Sequence, residues 1–153
     1  MENMTESYSL VKILLTISVF GCSIIPLFAD FNKTHATNPT WTGHARFHVV
    51  WQCLSYGAIG VLSFYLLWFF PELSKQHLYL VALLNAFVYG GFFGAYLSMP
   101  MYGGKSFDEN GYPPIKTKML GMNITLEANL VAFSIFSLVL LSAFLQLKFG
   151  IFS

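Results

Sequence analysis

Charge is what this sequence has least of. Only 10% of its 153 residues are Asp, Glu, Lys or Arg, while 56% are hydrophobic, and the mean hydropathy is +0.61. Soluble domains carry about 25% charged residues. Four spans of about 20 residues would fill roughly half the chain, so a separate soluble catalytic domain is excluded. The few charges balance, with eight Lys plus Arg against seven Asp plus Glu, and they form no basic run and no acidic tail. Nucleic acid is therefore excluded as a partner, because phosphate backbones are held by clustered Lys and Arg. Cysteine is nearly absent. Cys22 and Cys53 each fall inside an apolar run, where a thiol behaves as a small hydrophobe and does not report the redox compartment. No Gly-rich phosphate loop, Cys-x-x-Cys pair or nucleophile elbow is present, which leaves nucleotide hydrolysis and serine-hydrolase chemistry without support.

What the chain has in quantity is apolar runs edged by aromatic residues. They cover Leu10 to Phe28, Val49 to Phe70, Leu78 to Met99 and Ile124 to Leu147, and several Tyr and Trp stand at their ends as interfacial anchors. Lys12 lies near the outer end of the first run, where its side chain can snorkel to the headgroups. A cleaved signal peptide is the competing reading of that run, opposed by the preceding Glu2 and Glu6 and by the lack of a small-x-small cleavage site. Pro71 and Pro100 close the second and third runs. The expectation is a single all-α domain, 1–153, an integral membrane, multi-pass, up-down four-helix bundle with helices at about 10–28, 44–70, 78–99 and 124–147.

The connections alternate long, short, long, which places both long loops on one face of the bundle and both termini on the other. Lys33, Arg46, Lys105, Lys116 and Lys118 belong to the long-loop face, against Lys12, Lys75 and Lys148 opposite. That bias favours cytoplasmic long loops without saying which membrane holds the protein. The sequons at Asn3, Asn32 and Asn123 fall on both faces, and chance occurrence is the better reading. Gly90, Gly94 and Ser98 recur every four residues on the third helix, the pattern of a close helix contact, read as an intramolecular seam in preference to a homodimer interface. The stretch from Tyr102 to Lys118 reads as an ordinary polar turn region.

Three of the four histidines lie between His35 and His48. With Thr42 capping the second helix, His44 and His48 project from one face one turn apart, and helical His-x-x-x-His pairs of this kind can share a metal ion. Gln52 and Ser55 extend that face as a polar stripe, and Arg46 points away. Glu127, about one turn into the fourth apolar run with Asn123 above it, is an ionisable residue at membrane depth and so a site candidate by default. Tyr96 offers a hydroxyl at similar depth. Asp30 and His35 would either complete the ligand set or orient it by hydrogen bonds. Each residue also has a structural reading, as a turn, a cap or interhelical glue. For Asn85 and Tyr89, hydrogen bonding between helices is the preferred role, and His77 in the short loop is expected to be solvated.

The motifs Asp30-x-Asn-x-Thr-His35, Asn38-Pro-x-Trp41 and His44-Ala-Arg-Phe-His48 resemble a family of small four-helix membrane proteins described as a domain of unknown function. The likeness is specific over the first long loop and the entry to the second helix, and it carries no activity. A looser, fold-level likeness is to sterol-isomerase-like membrane bundles, which pair an intramembrane His and Glu for acid/base work on a lipid.

The leading expectation is a membrane-embedded metal-binding protein or acid/base enzyme acting on a hydrophobic, lipid-like small molecule. Its catalytic residues would be Glu127 and His48, and its metal ligands would be drawn from His44, His48, Glu127, Asp30 and His35, a set suited to zinc or non-haem iron. The alternatives are a dimeric proton-coupled transporter using Glu127, or a non-catalytic lipid-binding or assembly subunit using the Gly90/Gly94 face.

Overall fold

In the computed structural model, which describes residues 2–109, 111–119 and 121–150, the apolar runs become long helices. The first span comprises α1 (Glu2–Val19), a single π turn (Phe20–Ile24) and α2 (Ile25–Asp30). Helix α3 (Gly43–Trp68), helix α4 (Lys75–Tyr102), a hairpin of β1 (Ile115–Met119) and β2 (Met122–Leu126), and helix α5 (Ala128–Phe149) follow. Four segments are long and apolar enough to cross a membrane, namely Tyr8–Asp30, Gly43–Trp68, Lys75–Tyr102 and Ala128–Phe149. At 1.5 Å per residue they measure about 33 to 42 Å, against about 30 Å of bilayer hydrocarbon. The protein is a multi-pass integral membrane four-helix bundle.

The first span forms the centre and packs against α3, α4 and α5. Val11, Leu15, Val19 and Cys22 are fully buried there, against Leu78, Val81 and Val88 of α4 and Leu140, Ala143 and Leu147 of α5. Large apolar side chains cover the outside, among them Val61, Leu97 and Leu138. In water this would be a liability, but lipid is the solvent these faces require.

A polar layer lies inside this core. Asn85 is fully buried; its Nδ2 donates to the Val81 carbonyl at 2.7 Å, and its Oδ1 accepts from Cys22 Sγ at 2.9 Å and from Ser18 Oγ at 3.4 Å. Tyr89 donates its hydroxyl to the Ser18 carbonyl at 2.7 Å, so Asn85 and Tyr89 take the interhelical role expected of them. The π turn has a sequence cause in Pro26, which lacks an N–H and crowds the carbonyl a turn earlier. Helix α3 approaches this turn closely, since a Cβ on Gly60 would overlap Ser23 Oγ and Cβ, and Ser23 is itself held by its 2.6 Å bond to the Val19 carbonyl. At the far end of the first span Lys12 Nζ sits 4.2 Å from the centre of the Trp68 ring, and Trp68 Nε1 donates to Thr16 Oγ1 at 2.9 Å.

Several local expectations need correction. Pro100 does not end α4, which continues to Tyr102 and closes on Gly103 at φ 66°; the proline removes only the one N–H that would reach the Tyr96 carbonyl, and Ser98 and Tyr102 hydroxyls bond the carbonyls of Gly94 and Ala95. His77 is not merely solvated: with Ser74 it forms a capping box that opens α4, and its ring lies 4.5 Å from that of Phe70. Gly90 and Gly94 do not form an intramolecular seam, because a Cβ at either would meet nothing. The largest difference is the hairpin. Residues 122–126 do not begin the last helix but pair antiparallel with 115–119, Lys116 opposite Thr125 and Lys118 opposite Asn123, through a turn at Gly121 with φ 81°. Glu127 is consequently the cap position before α5 and not a residue one turn into it.

Candidate functional site at the long-loop end

The first long loop is built on two copies of one local device, Asn-x-Thr. Asn32 donates its amide to the carbonyls of Phe28 and Ala29, at 3.0 and 2.8 Å, closing the end of α2. Its Oδ1 then accepts from the backbone and hydroxyl of Thr34, at 2.8 and 2.6 Å. Asn38, only 2% exposed, repeats the arrangement, donating to the Thr34 carbonyl at 2.8 Å and accepting from Thr40 N and Oγ1 at 3.0 and 2.7 Å. These are Asx turns, in which a side-chain oxygen stands in for a backbone carbonyl. Thr42 follows as the helix cap, its hydroxyl accepting from Ala45 N at 3.2 Å.

This loop presents His35 and Trp41. Thr34 Oγ1 lies 2.8 Å from His35 Nδ1 and spends its own proton on Asn32, so Nδ1 is assigned as the protonated nitrogen. The same Nδ1 is 3.7 Å from Asp30 Oδ1. Trp41 and Tyr112 rings flank His35, with centroids 5.1 and 5.5 Å away.

The loop between α4 and the hairpin closes the other side. Trp41 Nε1 donates to Asp108 Oδ2 at 2.8 Å, a link across 67 residues. Gly111 packs so near Thr34 that a Cβ would come within 3.1 Å of the Thr34 carbonyl. Ser106 is held from α5: its hydroxyl donates to Glu127 Oε2, and its carbonyl accepts from Asn129 Nδ2 at 3.1 Å. Between the loops lies a cavity of about 520 Å³, walled by His35, Trp41, Phe92, Ser106, Asp108 and Tyr112 among others. Small-molecule sites usually measure about 300 to 1,000 Å³.

The expected metal and acid/base centre does not form. Among the described residues no three of His, Cys, Asp or Glu are grouped so as to hold a metal ion, which removes zinc and non-haem iron and the enzyme built on them. The five residues separate into pairs and a single. Asp30 and His35 meet in the first loop. His44 and His48 meet on the exposed start of α3, Nε2 to Nε2 at 3.0 Å, one ring donating and the other accepting. Glu127 is engaged with Ser106. The physical reasons are the hairpin, which removes Glu127 from a helix face, and the phase of α3, which turns His44, His48 and Gln52 to the outside. Glu127 at a cap position is likewise not the residue one turn into a span on which the proton-coupled transport reading drew.

Sequence reasoning placed Trp41 in a motif without a role at the site, and passed over Ser106, Asp108, Tyr112 and Asn129 as site residues. The chain matches no known protein family, no curated protein and no solved structure. Fold and site therefore define it as a multi-pass integral membrane bundle with a polar cavity at its long-loop end.

Proposed function

We propose that the protein is a membrane-embedded binding protein that takes a small polar ligand into the cavity between its two long loops. The observation that carries this reading is the Trp41–Asp108 bond, which braces two loops far apart in sequence around one volume. Ordering loop residues costs conformational entropy, and here it is met by Asx turns, by the Ser106 contacts to α5 and by aromatic packing around His35. A preorganised wall of this kind lowers the cost of binding. The polar lining, and the position of the loops beyond the spans, favour a ligand that arrives from water.

The test is saturation-transfer NMR on the full chain in nanodiscs, against a panel of small organic cations, organic anions and uncharged polar solutes. Transfer to at least one class is expected, and Trp41→Ala should remove it. A panel that shows no transfer to the wild type, or equal transfer to both proteins, rejects the reading.

A further inference from the structure

The composition of the cavity wall says which class should bind. We infer that the site takes an organic ammonium cation; this rests on the binding reading above and names its ligand. The first observation is aromatic. Trp41, Tyr112, Phe92 and Phe107 all line the cavity, and ring faces attract a cation that has shed part of its water, quaternary ammonium groups most readily. The second is charge. Asp108 and Glu109 line the same cavity against a single ammonium, that of Lys105. Two more carboxylates stand immediately behind the wall: Glu127, reached through Ser106, and Asp30, 3.7 Å from His35. The Asp108 carboxylate is oriented by Trp41 Nε1, so an indole ring and an anionic group of the cavity wall are held as one unit.

Lys105 makes the inference easy to overturn. Its Nζ rests 5.9 Å from the Phe107 ring, on the aromatic lining that the ligand would use. If the ligand is a cation, Lys105 repels it and competes for aromatic surface; if the ligand is an anion, Lys105 is its anchor. The two cases move affinity in opposite directions when the lysine is neutralised.

Choline chloride is the probe, titrated against the full chain in phosphatidylglycerol nanodiscs, with the uncharged isostere in which a quaternary carbon replaces the nitrogen as control. Choline should bind at least about tenfold more tightly than the isostere, the scale of one nearby screened charge. Lys105→Gln should tighten choline binding, and Asp108→Asn, which keeps an acceptor for Trp41, should weaken it about tenfold. Unchanged melting temperatures show that both variants are folded. Repeating the titration in two membranes without net charge, phosphatidylcholine and digalactosyldiacylglycerol, identifies the natural source: loss of choline affinity in phosphatidylcholine alone means that a lipid headgroup supplies the ammonium, and equal affinity in both means a free amine. If the isostere binds as well as choline, or Lys105→Gln weakens binding, the cation assignment is overturned while the cavity reading stands. If choline fails and the solute panel also shows no transfer, both fall together.

Discussion

The buried polar layer and the long-loop end are organised in opposite ways. In the layer at Ser18, Cys22, Asn85 and Tyr89, each named side chain is fully or nearly fully buried and bonded to a neighbouring side chain or carbonyl. At the long-loop end, Trp41, Ser106 and Asp108 also have bonding partners, yet they line an open volume of about 520 Å³. The difference teaches where to look for function in a small membrane bundle. An intramembrane polar group need not mark a site when its bonding is completed by its own helices. Polar and aromatic groups braced around a cavity give a better indication.

Packing around the buried layer should break first. Gly60→Ala places a methyl group against Ser23, whose hydroxyl and backbone are both engaged, and should cost about 3 kcal/mol of stability, the upper part of the overpacking range; calorimetry in detergent reads it, and a loss under 0.5 kcal/mol, the neutral range, contradicts the close approach. Asn85→Ala removes the shared acceptor of Cys22 and Ser18 and should cost about 2 kcal/mol, with no change in ligand binding. A fall in ligand affinity at unchanged stability would show that the two regions are not separate in kind. At the loop end the effects on folding are smaller. Trp41→Phe keeps a ring but loses the bond to Asp108, and about 1 kcal/mol is expected, visible as faster proteolysis of the 103–114 segment. Smallest of all, His44→Ala and His48→Ala should change stability by no more than about 0.5 kcal/mol, since both side chains are exposed, and metal analysis of each variant should match the wild type.

The four spans were legible because apolar length is the strongest signal a membrane sequence carries. The Thr42 cap was legible for a different reason, a residue preference tied to one hydrogen bond. The hairpin was readable in principle: Ile115, Thr117 and Met119 alternate with Lys116 and Lys118, a period of two. Summed hydropathy hid it, because Ile124 and Leu126 look like the start of the helix that follows them. The repeated Asn-x-Thr also stood in plain sight, but as a sequon at Asn32 it was set aside. Nothing local could reveal that Trp41 meets Asp108, since 67 residues separate them and the pairing exists only once the helices have aligned the two loops.

The π turn at Phe20–Ile24 sets how the two ends of the first span are timed against each other. An α-helix advances about 100° per residue, and a π turn holds one residue more than an α turn. Straightening that turn into α geometry with every residue kept would leave the span just as apolar and still long enough to cross the bilayer. It would nevertheless turn Asp30 and everything after it by about 100° about the helix axis relative to Val11 and Leu15. The first loop would then meet the second out of phase, with Trp41 swung off Asp108, so the loop end depends on a counted interval within the membrane as well as on the residues that line it.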